Sequence, residues 1–233
     1  MRDVHPSTYH RHQRGIVGLV LLIDVVTAAT LVGLWYFCLA RYNRRRGIRA
    51  LHWVESACSR HGQIAEARWI GASRLEARLR FAAHWVANAR VTIRLLPRPL
   101  PVQWLLSRWH KQKETITFEA DLDYAPSIRL EVLRHRWLTQ SNKKLKAKSG
   151  NWMISRPGPV VLTTRTEWRE ELPPIVNTLM TSRRHSLLSV RLRPESPHLA
   201  ATIDLDDLSN EAAAASFLGV LRDLAAGASA SRQ

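Results

Sequence analysis

Hydrophobic and polar positions divide this chain into three regimes, and each predicts a different kind of element. In the first, Gly15 to Ala40, apolar residues dominate and Asp24 is the one charge. A helix of these 26 residues would rise roughly 39 Å, enough to cross a hydrocarbon core of about 30 Å with some tilt. The pattern predicts a transmembrane helix over 15–40, preceded by a short polar tail over 1–14.

In the second regime, residues 41–62, apolar side chains recur at helical spacing among arginines. Ile48, Leu51, Val54 or Glu55, and Cys58 are expected on one face, with Trp53 and Ala57 beside it and Gly62 as the stop. This predicts a basic juxtamembrane helix whose first half lies among lipid head groups.

The third regime, residues 63–226, alternates with period two. Leu75, Ala77, Leu79 and Phe81 oppose Arg74, Glu76, Arg78 and Arg80, and Val91, Ile93 and Leu95 oppose Arg90, Thr92 and Arg94. The same alternation recurs over 115–122, 127–133, 188–192 and 199–205, with shorter strands at 152–155 and 160–164 and a weaker one at 63–70. Such patterns mark sheets with one buried and one solvated face. A short helix is expected over 102–110. A second follows the capping box Thr164-x-x-Glu167, and a last one is capped by Ser209 and carries Leu218, Leu221 and Leu224, with 227–233 as tail. The expected fold is α+β: one N-terminal transmembrane helix, then a soluble domain of mainly antiparallel strands with three or four helices. Its halves, 63–140 and 150–226, read as a tandem ββαββ pseudo-repeat or as one meandering sheet with helices on a single face.

Charge places the domain. The chain carries 35 Lys and Arg against 19 Asp and Glu, a formal net charge of +16. Arg2, Arg11 and Arg14 precede the span, whereas Arg41, Arg44, Arg45, Arg46 and Arg49 follow it. The positive-inside bias then puts the N-terminus outside and the domain on the cytoplasmic face of an inner membrane, a signal-anchor, single-pass arrangement. The apolar run exceeds the about 7–15 residues of a cleaved signal, and no small-residue cleavage site follows it. Trp35 and Tyr36 fall where an aromatic belt is expected, and the five arginines suit anionic lipid head groups.

Polar and small residues inside the span suggest a partner. A carboxylate such as Asp24 costs about 2.5–3.5 kcal/mol at mid-bilayer on insertion scales, so it is expected to face water or protein. Ala29 and Gly33 form a small-xxx-small pair that permits close approach of another helix. Self-association or a membrane protein partner through Asp24, Ala29 and Gly33 follows as an expectation.

The search for catalytic chemistry is mostly negative. No G-x-G-x-x-G, G-x-x-x-x-G-K-[ST], H-E-x-x-H, C-x-x-C or G-x-S-x-G occurs. Cys38 lies in the span and Cys58 just beyond it, so no disulfide framework is expected in the domain. Asp121 with Asp123 has the look of a divalent-cation pair, and Asp204, Asp206 and Asp207 form a second acidic group; turns and capping collect the same residues. Trp85, Trp104, Trp109, Trp137 and Trp152 stand near Arg or Lys, which suits base stacking or head-group insertion as well as a core. The reading that follows is a non-catalytic, membrane-tethered interaction or assembly protein without a cofactor. Its alternatives are a membrane-tethered nucleic-acid-binding protein and a metal-dependent hydrolase or transferase using Asp121 and Asp123.

Overall fold

The computed structural model describes residues 7–59, 62–81, 86–126, 129–134, 152–155, 160–165, 187–208 and 210–230. The Lys-rich loop expected at 142–150 and the helix expected after Thr164 lie outside them.

The chain is α+β. Its first element, α1, is one uninterrupted helix from Ser7 to Cys58, 52 residues long. It begins eight residues earlier than the expected span, taking in Ser7–Arg14, and it joins the span to the juxtamembrane stretch without a break. No proline interrupts it, and its four glycines, Gly15, Gly18, Gly33 and Gly47, are well separated, so the backbone ladder has no forced stop.

Among the described residues nine strands follow: β1 (Gly62–Ile70), β2 (Arg74–Phe81), β3 (Val86–Arg94), β4 (Thr115–Leu122), β5 (Leu130–Arg134), β6 (Trp152–Ser155), β7 (Val160–Arg165), β8 (Leu187–Leu192) and β9 (Leu199–Asp204). They form a single sheet in the order β1-β2-β3-β4-β9-β8-β5-β7-β6. Every pairing is antiparallel. The first four strands lie side by side in chain order. In the second half β5 sits between β7 and β8, and β9 closes against β4, so one sheet runs through both halves.

The apolar side of the expected alternation is buried, and Glu76 and Thr92, expected on the solvated side, are buried as well. Leu75, Leu79, Val91, Ile93, Ile116, Phe118, Val190, Leu192, Leu199, Ala201 and Ile203 are buried in one core cluster. Large side chains face small ones across strands, as where Phe118 and Val190 both pair with Ala201. The β1–β2 hairpin turns through Gly71, whose φ of +69° lies in the left-handed region that L side chains rarely adopt.

Helices cover that core. The last helix, α3 (Glu211–Ala230), buries Ala214, Phe217, Leu221, Leu224, Ala225 and Ala228. Asn210 caps it, its Oδ1 accepting from the backbone N–H of Ala213 at 2.8 Å. The helix continues through Gly227, which was expected to open the tail. The second half of α1 packs against α3 and the sheet through Asn43, Gly47, Ala50, Val54 and Cys58. That stripe is rotated from the expected one, and Ile48 is left 57% exposed. Small residues set the contact. A Cβ on Gly47 would stand 2.6 Å from the Trp69 ring of β1, so the helix meets the sheet where it has no side chain. Burial raises the Cys58 thiol to about 11, which leaves it a core residue and not a nucleophile.

Candidate functional site

The end of the sheet nearest the apolar half of α1 gathers most of the polar contacts between helix and domain. Asn43, fully buried, donates from Nδ2 to the carbonyls of Ala72 at 3.2 Å and Leu96 at 2.9 Å. Its Oδ1 accepts from Arg98 Nη1 at 3.0 Å. A helical side chain thus satisfies two carbonyls, one in the β1–β2 turn and one just after β3.

Glu114, just before β4, is the buried anion of this cluster. Its Oε1 accepts from the Leu96 backbone N–H at 3.0 Å and from Arg98. Its Oε2 lies 2.7 Å from Arg46 Nε in an ion pair without the alignment of a hydrogen bond. Arg46 also pairs with Asp206 in the short 3₁₀ turn Leu205–Asp207. Burial alone would lower the Arg46 pKa, but the Tyr42 hydroxyl, Glu114 and Asp206 together raise it, so the guanidinium stays charged. Arg98 stacks over the Tyr42 ring at 5.1 Å. Two arginines on one carboxylate, with Asn43 beside them, clamp α1 to the domain.

Above the clamp α1 leaves the domain. From Gly18 onward its apolar stretch has a mean hydropathy of 2.1 over eighteen residues, and none of that window is buried. Leu19 to Phe37 present their side chains outward. This is one long apolar helix able to cross a membrane. Asp24 and Trp35, eleven residues apart, share a side of it, whereas Gly33 lies about half a turn round from Asp24. One neighbouring helix therefore cannot meet both Asp24 and Gly33. A Cβ on Gly33 would touch nothing.

The expected lipid-contact arginines divide into two groups. Arg41, Arg44, Arg45 and Arg49 are exposed, whereas Arg46 is turned into the clamp. Tyr36 and Phe37 line a groove of about 520 Å³ with Arg41, Arg44, Trp69 and Ala72, between α1 and the β1–β2 turn. Trp35 instead meets Trp104 of the short helix α2 (Pro101–Trp109), ring centroids 6.1 Å apart and planes at 62°.

Of the acidic candidates, Asp121, Asp204 and Asp206 make structural contacts. Asp204 accepts from the Asp206 backbone N–H at 3.2 Å and pairs with Lys113. Asp121 accepts from Asn88 Nδ2 at 3.1 Å, and Asp123 is exposed. Burial would raise the Asp121 pKa, but hydrogen bonds from Ser196 and Asn88 and the neighbouring His198 hold it below its ordinary 3.8. Among the described residues no three His, Cys, Asp or Glu side chains converge on a metal position.

The solvated face of the sheet carries the remaining arginines in register. Arg74 stands opposite Arg94, and Arg78 opposite Arg90, across β2–β3. Glu76 pairs with Arg74 at 2.6 Å and Arg68 at 3.5 Å, and Glu66 with Arg78 at 3.6 Å. Sequence reasoning missed the clamp: nothing in the spacing of Asn43, Arg98 and Glu114 says that they meet. No protein-family model matches the chain, and no curated protein sequence is significantly similar to it.

Proposed function

We propose that this chain is a single-pass, membrane-anchored, non-catalytic interaction or assembly protein, with its N-terminus outside and its basic α+β domain on the cytoplasmic face of the inner membrane. The observation that carries this reading is the two-part character of α1. Its apolar half is wholly unburied, and its basic half is clamped into the domain by Asn43 and Arg46. A core helix of a soluble protein would bury its apolar residues. Here the apolar half is exposed, and burial falls on the basic half through Asn43, Gly47, Ala50, Val54 and Cys58. Arg41, Arg44, Arg45 and Arg49 then lie at the inner head groups, where each gains about 1 kcal/mol beside anionic lipid. Ala29 and Gly33 supply a close-packing face for a second helix, and Asp24 a separate polar one.

Reporter fusions at the C-terminus test the orientation. A cytoplasmic reporter is expected to be active in the native chain. Reversing Arg41, Arg44, Arg45 and Arg49 to Glu, which leaves the Arg46 clamp intact, is expected to invert or mix the topology; an unchanged pattern contradicts the orientation.

The cross-strand arginine pairs favour a second reading, nucleic-acid binding at the membrane. It predicts that affinity of the detergent-solubilised chain for a duplex falls steeply with salt. Binding that is absent at low salt, or indifferent to salt, removes it.

A further inference from the structure

The helix α2 is built the wrong way round for a soluble domain. Val102, Leu105, Leu106 and Trp109 are 71%, 61%, 49% and 81% exposed, while Ser107 is its one buried residue. The four apolar side chains follow the i, i+3, i+4, i+7 spacing and share an arc of about 100°. Ser107 lies on the other side of the helix, toward the domain. Single exposed leucines are ordinary, but a contiguous stripe on one helix face marks a contact surface. The ends of α2 are well fixed. Pro101 opens it, and the Lys111 and Gln112 N–H groups close it on the carbonyls of Arg108 at 3.0 Å and Ser107 at 2.9 Å.

Three observations say what covers the stripe. First, Trp104 of α2 touches Trp35, six residues before Arg41 on α1. At 1.5 Å per residue this places the contact roughly 9 Å to the apolar side of the first arginine. Amphipathic helices that lie in a bilayer surface sink about 5–10 Å below it. Second, cations flank the stripe: Arg108 stacks on Trp104 at 5.8 Å, and Lys111 and Lys113 follow at the C-terminal end. With Arg74, Arg94 and His110 these two lysines line a groove of about 750 Å³ between α2 and the end of the sheet. Third, the clamp at Asn43 and Arg98 fixes the loop leading into α2 directly to α1.

We propose that α2 is an interfacial membrane helix, its Val102, Leu105, Leu106 and Trp109 face sunk in the same leaflet that α1 leaves, with the neighbouring cations on anionic lipid phosphates. The proposal rests on the reading of α1 as a membrane span. It gives the domain a second point of attachment and so a fixed orientation on the bilayer, where a lone span would let it swivel.

Nitroxide labels on the full chain test it. Leu22→Cys, Leu105→Cys, Trp109→Cys and Arg90→Cys are made one at a time in a background of Cys38→Ala and Cys58→Ala. Each is reconstituted in vesicles of phosphatidylcholine and phosphatidylglycerol, and collision with oxygen, which enters lipid, is compared with collision with a water-soluble nickel chelate. Oxygen is expected to prevail at 22, 105 and 109, and nickel at 90 on the solvated face of β3. Nickel prevailing at 105 and 109, with oxygen still prevailing at 22, overturns the role of α2 and leaves the span standing. Shielding of 105 and 109 from both reagents also overturns it, in favour of a protein contact. Nickel prevailing at 22 removes the span, and this proposal with it.

Discussion

At the scale of single residues, the fold keeps a few local costs that can be measured. Lys111 holds φ at +50° in the position after α2 that glycine fills most cheaply, because a Cβ there crowds the following carbonyl. Lys111→Gly is expected to raise stability by about 0.5–1 kcal/mol, read as a higher midpoint of thermal unfolding in detergent. Asp121 gives a pH signature. Its folded pKa lies below its unfolded value, so its contribution is fully present above the unfolded pKa. That contribution fades as pH falls through the folded one. The stability difference between the native chain and Asp121→Asn is therefore expected to be constant near neutrality and to shrink on acidification below about pH 4. A difference that grows in acid contradicts the assignment. Residues of this kind show how far sequence reading reaches. The roles of Asp204 and Asp121 in turns and hydrogen bonds were legible as what such residues commonly do, but which partner each finds depends on distant strands.

Among elements, the strands were the most legible part, because a period of two with arginine on alternate positions has one physical solution. The inward sets Leu75 to Phe81, Val91 to Leu95 and Ile116 to Leu122 follow it directly. Helix faces were read less well. Ile48 and Leu51 looked like the contact of the α1 stem, yet the contact runs through Gly47 and Ala50, because close packing against Trp69 outweighs the burial of one more isoleucine. Likewise the 102–109 spacing announces a helix but not which side of it meets the domain. The clamp is the element-level claim that an experiment reaches best. Glu114→Gln leaves Arg46 and Arg98 facing a neutral group. It is expected to cost about 2–3 kcal/mol, below the 3–5 of a wholly buried pair because Arg46 still reaches water. Asn43→Ala strands two carbonyls and is expected to cost about 1–3 kcal/mol. Denaturant unfolding of the solubilised chain measures both; a loss under 0.5 kcal/mol in each, roughly the effect of an ordinary surface substitution, would mean that the stem is not held there.

At the scale of the whole molecule, α1 joins two environments, an exposed apolar half and a half packed into the domain. A nine-stranded sheet with helices on its core face is fastened by α1 beneath an unburied apolar helix. Cations cluster on α1 and around α2, at the end where helix and sheet meet. The arginine-bearing side of β2 and β3 is open to solvent at Arg74, Arg78, Arg90 and Arg94. The pairings of the second half, with β5 between β7 and β8, lay beyond sequence reading, because alternation fixes faces and not neighbours. The most direct test of the central claim is extraction of the intact chain from cell membranes with alkaline carbonate. The chain is expected to stay in the membrane pellet and to be released only by detergent. Its release into the supernatant by carbonate alone would contradict the account.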